Sequence, residues 1–219
     1  VRIAVISDIH SNSQALYRVL EDIGQNGVDG TISLGDTIGY GDDPCGVLQL
    51  LKNNNILSTL GNHELALLNS RYRERFRGGA RAAIEHHLSL IPRNDLDSMA
   101  TWPFFLVESG GRFVHGLPPD SVMGYLSRTP EHQLAGIMAL LPQTVSFVGH
   151  THLLGGVVLE DRMVTRFSLG KKILFLDKAC RYIINAGSVG QSRDWDGRAK
   201  YIIWDVLSGT VEPRYVTLV

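Results

Sequence analysis

The chain has 219 residues, 44% hydrophobic and 20% charged, with a formal net charge of −1. That length and balance predict one domain spanning 1–219 and argue against a strongly basic nucleic-acid binder. No apolar run approaches the roughly 18–20 residues of a membrane helix, because the longest, Ala135–Leu141, contains Gly136 and meets Pro142, and Val1–Ile6 is too short for a signal peptide.

The first third alternates strand and helix. Arg2–Ser7 reads as a buried strand, and Leu16, Val19, Leu20 and Ile23 then fall at helical spacing, with Asn12 or Ser13 as N-cap. Gly30–Gly35 is a second strand, a short helix over Val47–Leu51 starts near Pro44, and Ile56–Gly61 is a third strand. Crossovers of this length predict a parallel sheet. The stretch from Glu64 to Thr101 is expected to be helical, with Ala80, Ile84, His87, Leu88 and Ile91 on one stripe ended by Pro92. The second half is strand-rich: Phe104–Glu108, Gly111–His115, Thr144–Val148, Gly156–Leu159, Val164–Ser168, Ile173–Leu176, Tyr182–Asn185, Tyr201–Asp205 and Val211–Val216. These are more strands than one sheet holds, so two packed sheets with helices outside are expected.

Two cysteines cannot form a disulfide framework, which makes a reducing cytoplasm the expectation. Eight histidines stand out by their distribution. Five short blocks, Asp8-Ile9-His10, Gly35-Asp36, Gly61-Asn62-His63-Glu64, His115-Gly116 and Gly149-His150-Thr151-His152, each sit where a predicted strand ends. Functional groups of open α/β sheets gather at such carboxyl ends. Residues two apart in an extended chain point to one side, so Asp8 and His10 are expected to face one ion, as are His150 and His152 if the chain stays extended there. Carboxylate, amide and imidazole donors suit Mn²⁺, Zn²⁺ or iron. Seven candidate ligands exceed the needs of one four-coordinate ion and suit two ions sharing a carboxylate, the clamp used for in-line displacement at phosphorus.

In this order the blocks resemble the calcineurin-like metallophosphoesterase family, whose pattern is D-x-H, G-D, G-N-H-[DE], H and G-H-x-H. The resemblance implies a four-layer α/β/β/α sandwich of two mixed sheets flanked by helices. It implies Asp8, His10, Asp36 and His152 around one divalent metal ion and Asp36, Asn62, His115 and His150 around a second, with Asp36 bridging. Ser7–Asn12, Gly35–Gly41 and Asn185–Gln191 are similar to the small stand-alone bacterial and archaeal branch of predicted phosphodiesterases. One departure matters. Phosphoprotein phosphatases continue G-D with Asp-Arg-Gly, where Gly39, Tyr40 and Gly41 stand here, so the Asp that would orient the catalytic imidazole and the phosphate-gripping Arg are both absent. His115 is followed by Gly-Leu-Pro-Pro-Asp in place of the expected Gly-Ser-Pro, which bears only on loop shape.

The expected reaction is hydrolysis of a small phosphoester, diester or monoester, by a metal-bridging hydroxide. His63 is the candidate general acid, its unperturbed pKa of about 6.5 lying near working pH. Asn62, with backbone N–H groups near Asn12, would stabilise charge on the phosphoryl oxygens, and Arg193 is a candidate phosphate contact or a structural loop residue. Alternatives are a hydrolase of cyclic nucleotides or dinucleoside polyphosphates, an atypical protein phosphatase, or a non-catalytic interaction module. His63 and the complete ligand set argue against the last. Packed or solvated roles are expected for His86, His87 and His132, and Glu64 is read as a helix-start or supporting acid. Arg71, Arg73, Arg75, Arg77 and Arg81 are either an anion-attracting lid or, preferred, a solvated helix face. Trp195 and Trp204 are read as packing or hairpin residues, and Cys45 as structural although its place at a helix start favours a lowered pKa.

Overall fold

A computed structural model describes residues 1–194 and 196–218; Trp195 and Val219 lie outside the described residues. Two six-stranded mixed sheets face each other, with helices on their outer faces. In the first sheet, β1 (Arg2–Ile6) runs parallel to β2 (Gly30–Ser33), which runs parallel to β3 (Leu57–Ser58). The helices α1 (Ser13–Gln25) and α2 (Pro44–Asn53) make the crossovers, and α3 (Asn62–Leu68), α4 (Ser70–Arg73), α5 (Gly78–Leu90) and α6 (Arg93–Met99) follow. The second sheet contains β4 (Phe105–Glu108), β5 (Gly111–Val114), β6 (Val145–Val148), β7 (Leu154–Glu160), β8 (Met163–Ser168) and β10 (Arg181–Ala186). Helix α7 (Glu131–Leu140) covers its outer face, and β9 (Leu174–Phe175), β11 (Ala199–Asp205) and β12 (Thr210–Val216) complete the first sheet.

Period-two patterning explains the layers. On β1, Ile3 and Val5 point between the sheets, where they meet Phe113, Phe147, Ile184, Ile202 and Trp204. Ala4 and Ile6 point the other way, against Leu16, Val19 and Ile23 of α1 and Val47 and Leu51 of α2. A strand buried on both faces is largely apolar, which is why Ile3–Ile6 of β1 and Tyr201–Trp204 of β11 show no polar alternation. On the far side, Leu134 and Met138 of α7 pack on Val114, Val148 and Ile183. The sequence marks α7 only as an apolar run.

Helix starts follow local chemistry. The Asn12 side chain accepts from Ala15 N–H and caps α1, and Asp43 caps α2 ahead of Pro44. The third strand is shorter than its sequence pattern: Thr59 N–H still donates to Ser33 O of β2, but Leu60 N–H turns to Pro103 O. The α5 stripe is narrower than expected too: Ile84 and His87 are buried, but Leu88 is exposed. Among the described residues, no helix is long and apolar enough to cross a membrane.

Candidate metal centre

The carboxyl ends of β1, β2, β3, β5 and β6 converge, and each carries one of the five blocks. The side chains do not converge by strand alternation. Asp8 (φ 52°), His10 (φ 49°), Asp36 (φ 49°), His150 (φ 65°) and His152 (φ 65°) all lie in the left-handed region, so the extended geometry expected at Asp8–His10 and His150–His152 is corrected. Such conformations cost a non-glycine residue about 1–3 kcal/mol each and concentrate at functional sites. Backbone bonds hold them: Asp8 N–H donates to Gly35 O (3.1 Å), His10 N–H to Asp36 O (2.9 Å), and Ser188 Oγ–H to Asp8 O (2.8 Å).

The block glycines serve two purposes. Gly35 adopts φ 94°, open to glycine at little cost. Gly61 is extended instead, and permits close approach: a Cβ there would lie 2.2 Å from both Asp36 N and Oδ1.

Seven side chains, Asp8, His10, Asp36, Asn62, His115, His150 and His152, meet in a buried centre. Ligand atoms of Asp8, His10 and His152 lie within 4.8 Å of one another, and so do those of Asp36, His115 and His150. His10 Nδ1 faces Ile38 O (3.2 Å) and His152 Nδ1 faces Gln191 O, so each Nδ1 donates to a carbonyl and each ring turns its Nε2 to the centre. Those two Nε2 atoms are 3.2 Å apart, and Asp8 Oδ1 is 3.2 Å from His152 Nε2. His115 repeats the device: Nδ1 donates to Leu34 O (3.0 Å), and Nε2 meets Asn62 Oδ1 (3.0 Å), His150 Nδ1 (3.1 Å) and Asp36 Oδ2 (3.3 Å). Lone pairs crowded this closely in a buried site repel unless a cation lies among them. The donor set fits divalent ions; Asp36 Oδ2 also lies 3.9 Å from His10 Nε2, and ligand atoms of His10, Asp36 and His63 form a further group within 4.8 Å of one another.

Electrostatics agree. Burial pushes His10 and His150 down to about 3, which keeps their nitrogens unprotonated. Burial opposes the ionisation of Asp8, but the imidazoles of His152 and His115 outweigh it and hold the carboxyl at about 2. Burial also acts on His115, yet Asp36, Asp8 and Glu64 overcome it and raise the ring to about 9, so a proton occupies Nε2 in the metal-free chain. Glu64 is not at the centre. Its Oε2 accepts from Asp36 N–H and Gly61 N–H (2.8 Å each) and its Oε1 from Ile38 N–H (3.1 Å), tying the β2 loop to the start of α3. Burial, with Asp36 nearby, pushes it up to about 7.

His63 borders the centre, its Nε2 3.9 Å from Asp36 Oδ2, while His63 N–H donates to Asp36 Oδ1 (2.9 Å). No partner meets its buried Nδ1 among the described residues; Gly39 lies against it, where a Cβ would be 2.0 Å away. The ring is held by packing against His10, Tyr40 and Phe76, with centroids 4.8–5.0 Å away. Burial pushes its pKa below the ordinary imidazole value.

The outer residues divide. Asn12 lines a cavity beside His10, with its polar atoms already engaged: Oδ1 caps α1, Nδ2 donates to Gly190 O (3.2 Å), and its backbone N–H is bonded to Ile9 O. Arg193 does reach the mouth of the site, on a cavity it shares with Asp36, His63 and Tyr125. The arginine stretch is neither wholly lid nor wholly solvated face. Arg73 donates to Leu67 O at the end of α3 and Arg81 pairs with Glu85, but Arg75 and Arg77 line that cavity. His86 and His132 are exposed. His87 is buried as expected, but sequence reasoning missed what it holds. Its Nδ1 accepts from Gly39 N–H (3.2 Å) and its Nε2 donates to Gly41 O (2.8 Å), clasping the loop that carries Tyr40. Its place on the α5 stripe was the only signal. Trp204 is core. The Cys45 thiol is pushed up by burial and by Asp43 and Asp95, not lowered by its helix start.

The profile of the calcineurin-like phosphoesterase family matches residues 1–185. The chain is 33% identical over 214 residues to an uncharacterized protein of Methanocaldococcus jannaschii, covering 93% of this chain and 82% of that one. It is similar to the crystal structure of a metallophosphoesterase from Sphaerobacter thermophilus, with a TM-score of 0.82, 29% identity and coverage of 99% of this chain and 89% of that one. A hypothetical protein of Pyrococcus horikoshii shares the fold at a TM-score of 0.80 and 17% identity, over 98% of this chain and 87% of that one.

Proposed function

Because the chain belongs to the calcineurin-like phosphoesterase family, we propose that it hydrolyses phosphodiesters or phosphomonoesters with two divalent metal ions, drawn from manganese, zinc or iron. The observation that carries this reading is the convergence of imidazole nitrogens at one buried point, His10 facing His152 at 3.2 Å and His115 facing His150 at 3.1 Å, with Asp36 Oδ2 3.3 Å from His115 Nε2. Asp8, His10 and His152 would hold one ion, Asn62, His115 and His150 the other, and Asp36 both. Bound there, such ions supply Lewis acidity toward a phosphoryl oxygen and a water nucleophile near neutral pH.

The chain's own residues do the rest. The His63 N–H fixes Asp36 Oδ1 and so turns Oδ2 to the middle of the site. Asn62 presents Oδ1 to the centre, which leaves its Nδ2 as a donor for a phosphoryl oxygen as charge builds there. His63 protonates the leaving alkoxide. Its packed position between His10, Tyr40 and Phe76 keeps Nε2 aimed at the centre.

The test is hydrolysis of bis(p-nitrophenyl) phosphate and p-nitrophenyl phosphate by protein stripped with chelator and reloaded with each metal in turn. Turnover that vanishes on stripping and returns on reloading supports the reading. Reloaded protein that cleaves neither ester returns the chain to a non-catalytic interaction module.

A further inference from the structure

A cavity of about 290 Å³ opens beside the centre, with Asp36 and His63 among its lining residues and Arg75, Arg77 and Arg193 alongside them. Asp36 is its only lining carboxylate among the described residues. Elsewhere this nearly neutral chain pairs arginine with acid, as in Arg18–Glu21, Arg81–Glu85 and Arg214–Asp22. The three at the mouth have no carboxylate partner among the described residues. Arg75 lies over the Tyr72 ring (4.7 Å), and Arg77 donates to the carbonyl of Glu74 (2.8 Å).

Both loops are anchored beside the arginines. Phe76, between Arg75 and Arg77, packs its ring edge-on to His63 at 5.0 Å, which fixes the α4–α5 link over the site. Across the mouth, the buried Lys200 donates to Ser192 Oγ (3.0 Å) and Asp194 Oδ1 (2.6 Å), the residues on either side of Arg193. Each loop is therefore anchored through the neighbours of its arginines, and all three arginines line the cavity. A guanidinium fork matches phosphate oxygens in pairs. Three of them exceed what a scissile phosphate held at a metal centre requires.

Resting on the function proposed above, we propose that Arg75, Arg77 and Arg193 grip a second phosphate, so that the natural substrate is a phosphoester carrying at least one phosphate beyond the one attacked. The probes are adenosine 5′-monophosphate and adenosine 3′,5′-bisphosphate, which differ by one phosphate, as inhibitors of bis(p-nitrophenyl) phosphate hydrolysis by the metal-loaded protein. The bisphosphate is expected to inhibit about 10- to 100-fold more tightly, the range for one or two charge-assisted hydrogen bonds. The Arg75→Gln/Arg77→Gln/Arg193→Gln variant should lose that ratio, and Arg81→Gln, whose guanidinium pairs with Glu85, should keep it. Equal inhibition by the two nucleotides in the wild type, or an unchanged ratio in the triple variant, overturns the proposal. Calorimetric binding of inorganic tripolyphosphate and orthophosphate to metal-free protein gives the same comparison without turnover. A protein that cleaves no ester yet prefers tripolyphosphate through these arginines would refute the function and keep the anion site.

Discussion

Nε2 of His10 and Nε2 of His152, 142 residues apart in the chain, face each other across 3.2 Å because each ring's Nδ1 is turned to a backbone carbonyl. Neither nitrogen can donate to the other while both rings are neutral. A metal ion between them would satisfy both nitrogens, and the carboxylate of Asp8, 3.2 Å from His152 Nε2, would complete its donor set.

Removing one of the pair should therefore cost metal binding more than folding. A bound ligand at 100 times its Kd stabilises by about 2.7 kcal/mol. The rise in Tm on adding Mn²⁺ is expected to shrink in His152→Ala, measured by differential scanning fluorimetry with and without chelator. Asp36→Asn keeps the shape but halves the carboxylate's capacity at the shared position, and metal analysis should find both ions lost. A variant still holding two would refute the shared ligand.

His63 is proposed as an acid and not as a ligand, although its ring lies within ligand reach of His10 and Asp36. In His63→Ala, metal content should stay near wild type while turnover of an alkyl phosphodiester falls about 10²–10⁴-fold, the usual worth of a general acid. The p-nitrophenyl ester, whose leaving group needs little protonation, should fall far less. Wild-type kcat on the alkyl ester would sink the assignment.

The pH dependence has a definite sign. In the metal-free chain His115 is raised from 6.5 to about 9, so its contribution to stability is complete below pH 6.5 and lost as pH rises through about 9. The Tm of the metal-free protein should accordingly fall across that window. Metal binding must displace this proton, so apparent affinity should rise by about tenfold per pH unit over the same range, then level off. Titration calorimetry in buffers of different ionisation enthalpy would detect the released proton; none released at pH 7.5 would contradict the geometry.

Two glycines separate close approach from free space. Gly61→Ala puts a Cβ 2.2 Å from Asp36 N and 2.7 Å from Glu64 Oε2, and should cost about 1–3 kcal/mol in urea unfolding. At Gly136, on α7, a Cβ would meet nothing within 4 Å, so alanine should stabilise by about 0.4–1 kcal/mol.

The residues that converge at the centre and the two-sheet sandwich were legible from strand ends and spacing, since strands buried on both faces show as apolar runs and the blocks follow them. Left-handed backbone at Asp8, His10 and His150 was not, because Asp and His adopt it more often than most residues but still rarely, and tertiary hydrogen bonds impose it here. The clasp of His87 on Gly39 and Gly41 was hidden for a related reason: helical periodicity gives its buried side, not the loop it meets there. The arginine stretch divided because a turn, not one continuous helix, separates α4 from α5 and brings only Arg75 and Arg77 to the cavity.

The most direct test of the central claim is anomalous scattering from crystals of the Mn²⁺-loaded protein. Two peaks are expected, one among Asp8, His10 and His152 and one among Asn62, His115 and His150, with Asp36 touching both. A single peak, or none within reach of Asp36, would contradict the account.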